Sequence, residues 1–219
     1  MLERRFRLAA GPVDLDVYFR APSMARLDRF LSLRAGPFVD RGASDGARVV
    51  RCDIEVTGPE WQPYQAAAGE RGPVAQRVTR RTWFSQWCYY RGAFGVDQAD
   101  VEISDRDTAI EHALRAAVVF ASMPADALFF HAATLVYDGE AVLLPGHPNA
   151  GKSTIAREGH PDRVISNEIS ICVERDGRWW ALPSPFWGSG DLAQWAEPAP
   201  LRGVAVLTQA KVANAWAPL

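Results

Sequence analysis

Three cysteines in 219 residues are too few and too scattered to organise a fold. Cys52, Cys88 and Cys172 stand far apart and form no metal-ligand spacing, and their odd number argues against a disulfide framework. Reduced, buried thiols in a cytoplasmic protein are the expectation. An excess of one charge is also lacking. The chain carries 24 basic and 26 acidic residues, a net charge of −2 without the basic footprint of nucleic-acid binding. Long apolar runs are missing too. The most hydrophobic stretch, 113–137, is broken by Arg115, Pro124, Asp126 and His131, so no membrane partner is expected. The opening Met1-Leu-Glu-Arg-Arg-Phe-Arg leads into no apolar signal-peptide core. Neither an internal repeat nor a low-complexity tract is found.

What is present begins with β patterning. Residues 6–9, 13–19, 48–56 and 74–90 carry β-branched and aromatic residues between Gly/Pro breaks, so 1–103 reads as a β-rich region. Residues 51–56 alternate as a half-buried strand should. Residues 23–33 have helical apolar spacing through Met24, Leu27, Phe30 and Leu31, and 59–73 reads as a loop. The basic run from Arg77 to Arg81 reads as the guard of an edge strand. The eight tryptophans are expected in the core or on a partner-facing surface.

The pattern changes after residue 103. Residues 105–121 predict a helix, with a capping box Thr108-Ala-Ile-Glu111 and an apolar stripe through Ile110, Leu114, Ala117, Val118 and Ala121. Pro124 ends it. Residues 128–137 read as a strand, Asp138-Gly139 as a tight hairpin turn, and 140–144 as the antiparallel return strand.

That strand delivers the chain into Gly146-His147-Pro148-Asn149-Ala150-Gly151-Lys152-Ser153-Thr154, which meets the phosphate-loop pattern G-x-x-x-x-G-K-[ST] at every fixed position. A polyphosphate needs many donors converging on one point, and the successive N–H groups of a tight loop supply them. Gly146 and Gly151 allow backbone angles and approaches that a Cβ would block. Lys152 brings charge to the β- and γ-phosphates, Ser153 offers a hydroxyl to Mg²⁺, and the helix that follows points its positive end at the anion. Gly159, His160 and Pro161 stop that helix after about two turns. Residues 163–173 then read as a strand with a polar break, Asp176-Gly177 as a second hairpin turn into 178–182, and 201–208 as one more buried strand.

His131 on a strand, fifteen residues before Gly146, then the loop, a short helix and Asn167-Glu168 on a strand form an ordered set. This order resembles the catalytic domain of HPr kinase/phosphorylase and the wider group of HPr-kinase-related kinases, over roughly residues 128–207. In that family a His-Gly or His-Ala pair precedes the hairpin, as His131-Ala132 does, and two acidic residues follow the loop helix. Pro185-Phe-Trp-Gly188 is similar to a segment of the related kinases.

The resemblance implies an α/β (α+β) fold: a phosphate-loop domain at 104–219 with a largely antiparallel or mixed sheet, preceded by the β-rich region 1–103. It implies ATP and Mg²⁺ as cofactors, and transfer of the γ-phosphoryl to a hydroxyl on a protein, a peptide or a small molecule. Implied roles are Glu168 as base, His131 as electrostatic partner, and Ser153, Asn167 and Glu168 around the metal. It also implies a homo-oligomer. The sequence departs from the family at Asn167, where Asp is usual; an amide oxygen can coordinate Mg²⁺ but cannot take a proton. It also lacks the Glu-x-Arg-Gly-x-Gly signature of the bifunctional enzymes, so no phosphate-dependent reverse reaction is expected. A nucleotide-binding sensor or scaffold of the same fold is the rival expectation. A third is an interaction protein whose β-rich half recognises a partner peptide.

Overall fold

The computed structural model describes residues 1–40, 47–58, 74–87, 89–186 and 197–209. Cys88, the expected loop at 59–73, Trp187-Gly188 and Leu219 lie outside the described residues. The chain is a mixed α/β protein built mostly of strands and divides into two compact units, Met1–Ala127 and Leu128–Leu219.

The first unit is a seven-stranded mixed sheet. Its strands are β1 (Leu2–Ala10), β2 (Val13–Ala21), β3 (Arg48–Gly58), β4 (Val74–Arg77), β5 (Thr82–Trp87), β6 (Tyr90–Gly95) and β7 (Gln98–Ser104), in the order β1-β2-β3-β7-β6-β5-β4. β2–β3 and β3–β7 are parallel and the remaining pairs antiparallel. Period-two alternation sorts the two faces. Leu8, Leu15, Val17, Val50, Cys52, Ile54 and Val101 are buried on one. Arg5, Asp16, Arg51, Asp53, Arg91 and Glu102 pair as ions on the other.

Two helices complete this unit: α1 (Ala25–Phe30), continued by a π-turn at Leu31–Ala35, and α2 (Ala109–Ser122). The stripe of α2 is buried as expected, at Ile110, Leu114, Ala117, Val118 and Ala121, and packs on β6 and β7. The first compact unit therefore includes α2 and runs to Ala127. The predicted capping box does not form. Thr108 sits in the helical region (φ −86°, ψ −12°) with no side-chain cap bond, whereas a capping side chain needs an extended backbone. Glu111 instead pairs with Arg115 one turn on. As expected, β4 is an edge strand.

The second unit is a five-stranded barrel. Its elements are β8 (Leu128–Tyr137), β9 (Glu140–Pro145), α3 (Lys152–Glu158), β10 (Arg163–Ser166), β11 (Ile169–Arg175), β12 (Arg178–Leu182) and β13 (Ala199–Val204). β8 and β9 form the expected hairpin, and Asp138 and Gly139 both have positive φ, the conformation that suits the twist of the strands. β10 and β11 lie along the same edge of β8, together taking one strand's place in the ring. β11 pairs with β12, β12 with β13, and β13 runs parallel to β9, closing the barrel.

Ala132, Val136, Ala141, Leu143, Ile165 and Cys172 form the apolar clusters of one face of this wall. Thr134 donates to Ser170 Oγ (2.7 Å), which donates to the Ala132 carbonyl (3.0 Å), so these buried hydroxyls are satisfied. Ala133, Leu135, Leu144 and Val164 point the other way and pack with Ala156 of α3. The last strand differs from its expectation. β13 ends at Val204 and only Ala199 in it is fully buried, because one side of a barrel wall faces outward.

Candidate functional site

The phosphate-loop residues sit where β9 hands the chain to α3. Asn149 (φ +66°) and Gly151 (φ +105°, ψ 11°) both adopt left-handed backbone, which turns the loop into the helix. Gly146 is required for a different reason. A Cβ there would lie 2.9 Å from the Leu207 carbonyl oxygen, 3.0 Å from the Ala150 Cβ and 3.1 Å from the Leu207 Cβ. The Ala150 N–H donates to the His147 carbonyl (3.0 Å), closing the turn. Lys152 is only 7% exposed, and its Nζ donates to the Gly146 (2.9 Å) and His147 (3.1 Å) carbonyls. The loop thus curls around its own ammonium group. α3 is held at its far end by Gly159, where the Tyr137 hydroxyl donates to the carbonyl (3.1 Å).

Strand parity brings the remaining residues to the loop. His131 lies two residues before Ala133 on β8, on the face that packs with α3 farther along. Opposite it, the ladder shifts register between Val164 and Ser166, and the strand is interrupted at Asn167-Glu168. Such irregularities re-aim side chains. Ser166 fixes this one: its hydroxyl donates to the Ile169 carbonyl (2.8 Å) and accepts from the Glu168 N–H (3.4 Å). Asn167 and Glu168 consequently line the same cleft, whereas a regular strand would have sent them to opposite faces.

That cleft has a volume of about 520 Å³ and is lined by His131, Pro148, Asn149, Gly151, Lys152, Ser153, Thr154, Asn167 and Glu168. His131 Nε2 stands 3.8 Å from Glu168 Oε2, within reach of an ion pair when the imidazole is protonated. Asn167 is buried, 2% exposed, while Ser153 and Thr154 are exposed. Three predicted loop residues do not line the cleft. Gly146 backs onto Leu207, and His147 and Ala150 serve through the backbone bonds given above.

The oxygens of Ser153, Asn167 and Glu168 are hard donors that suit Mg²⁺, an ion held by one or two carboxylates together with substrate phosphates. Among the described residues no group of three or more His, Cys, Asp or Glu side chains is placed to hold a metal. A cation in this cleft would therefore draw part of its coordination from its ligand.

Phe186, from the segment similar to one in the related kinases, is fully buried. His160 occupies a left-handed turn after α3. His112 on α2 stacks on Tyr89 (5.1 Å between centroids). Ser166 and Leu207 escaped the sequence reading. Only the polar break at 166–168 pointed to the first, and nothing local pointed to the second. Among the described residues no helix is long and apolar enough to cross a membrane. Compared with models of known protein families the chain matches none, and comparison with curated proteins also yields no match.

Proposed function

We infer that the protein is an ATP-dependent kinase of the HPr-kinase-related type, transferring the γ-phosphoryl of Mg-ATP to a hydroxyl acceptor. One observation carries the reading: residues from three separate stretches, His131, the 148–154 loop and Asn167-Glu168, line a single polar cleft. Phosphoryl transfer is mainly a matter of position and charge. Lys152 supplies a cation and the loop N–H groups supply donors for the phosphates. Mg²⁺, held by Ser153 with Asn167 or Glu168, would neutralise developing charge on the phosphate oxygens. Glu168 is the carboxylate able to take the acceptor's proton, and His131 stands beside it as its electrostatic partner. The acceptor oxygen then bonds to the γ-phosphorus as the bond to ADP breaks, leaving a phosphoester, ADP and the proton on Glu168.

Calorimetric titration with ATP, with and without Mg²⁺, tests this. Binding is expected to tighten with Mg²⁺ and to vanish in Lys152→Ala. Absence of binding in the wild type withdraws the assignment. Asn167 favours a second reading, a nucleotide-binding sensor or scaffold without turnover, because the amide stands where the family has a carboxylate. Under either reading a cytoplasmic location and a nucleotide partner are proposed, with no nucleic acid.

A further inference from the structure

The geometry points to the segment just after β13, centred on Leu207, as a clamp that holds the phosphate loop in its binding shape. The inference rests on the nucleotide-binding reading of that loop. β13 pairs with β9 as far as Val204–Leu143, but the ladder does not stop there. The Ala205 N–H donates to the Leu143 carbonyl (2.9 Å) and the Leu207 N–H to the Pro145 carbonyl (2.7 Å). Period-two bonding therefore continues past the strand's end to the residue preceding Gly146. Leu207 then bridges directly to Gly146, which it approaches so closely that no Cβ would fit.

The Leu207 side chain completes the grip. It packs against the cluster formed by Ala133, Leu135, Leu144, Val164 and Ala156. Ala156 belongs to α3, so Leu207 joins the entry of the loop to an apolar cluster in which the helix at its exit is also anchored. The loop contains two left-handed residues and has no ladder of its own, so outside support is needed to hold it in one shape. Leu207 supplies it by bridging to the loop's entry and packing on the cluster that α3 shares. It is a positioning residue, since it does not line the cleft.

The test uses the full chain with Leu207→Ala, Leu207→Met and a control, Leu201→Ala, which trims β13 at a side chain packed on the barrel clusters instead. Three quantities are read: melting temperature, Mg-ATP affinity by calorimetry, and hydrogen exchange of amides 146–155 without nucleotide. Leu207→Ala is expected to weaken Mg-ATP binding about tenfold, as misplacement of binding groups does, and to speed exchange in 146–155. Leu207→Met should restore both. Leu201→Ala should lower the melting temperature while leaving affinity and loop exchange as in the wild type. If Leu207→Ala and Leu201→Ala behave alike, the clamp is overturned. If the wild type binds no Mg-ATP, the nucleotide reading falls, and the exchange of the ligand-free loop still decides whether Leu207 holds it.

Discussion

At the scale of single residues, the site turns on which groups carry charge where phosphate would sit. Among the described residues Lys152 is the one lysine or arginine lining the cleft, and its partners are two neutral carbonyls. A phosphate offers it a charge-assisted bond, the stronger kind, which is why its removal is expected to abolish binding. Asn167 poses the opposite case, a neutral amide where the proposed kinase reading would expect a charge. Asn167→Asp is expected to raise turnover if Glu168 already serves as base, and to create it if the wild type only binds. The readout is ADP release with a panel of hydroxyl acceptors. Unchanged turnover would show that position 167 has no part in the chemistry. The loop was legible from its own motif, whereas His131 and Asn167-Glu168 were singled out by the resemblance of their order to a family; the fold brings all three stretches to one cleft. Leu207 was not, because its importance comes from a contact with Gly146, sixty-one residues earlier, that no local pattern announces.

At the scale of elements, both hairpins of the barrel followed from Asp-Gly turns, and both turns have the paired positive φ values that such turns demand. The helix stripe of α2 was equally plain. Its N-terminus was not, since a capping box is only a propensity and Thr108 lies in helical rather than extended backbone. The same helix carries a titration that can be measured. Burial, with a smaller contribution from Arg115, lowers the His112 pKa to about 4. The unfolded chain, with an ordinary value near 6.5, therefore binds more protons than the folded one between those limits. The resulting stability is fully present above about pH 6.5 and is lost as the pH falls toward 4. His112→Phe keeps a ring to stack on Tyr89 and removes the proton. It is expected to flatten the dependence of urea-unfolding stability on pH in this window, and an unaltered slope would contradict the assignment.

At the scale of the whole chain, the two units treat their edges differently. The barrel closes on itself through β13, whereas the seven-stranded sheet leaves β1 and β4 as edges. Exposed edges invite pairing with other chains. β1 is partly covered: the Asp40 N–H donates to the Arg7 carbonyl (2.9 Å), the Arg7 N–H donates to the Asp40 carboxylate (2.9 Å), and Leu8 bridges to Val39. Asp40→Ala removes the carboxylate and leaves a β-carbon in left-handed backbone (φ 50°), so the cover should detach. The expected result is a loss of about 1 kcal/mol and concentration-dependent self-association beyond that of the wild type in light scattering. Identical scattering would show that the cover guards nothing.

Closure of the barrel also sets a timetable. The β8–β9 and β11–β12 hairpins join neighbours in sequence, but β13 meets β9 across sixty residues, as Leu201 against Ala141. Closing a long loop costs entropy before it gains contacts, so local hairpins form early and such pairings late. The phosphate loop emerges from the ribosome well before the segment that steadies it. On the proposed reading, a nascent or partly folded chain would hold the binding sequence without its binding shape, and competence for nucleotide would arrive only once β13 has docked.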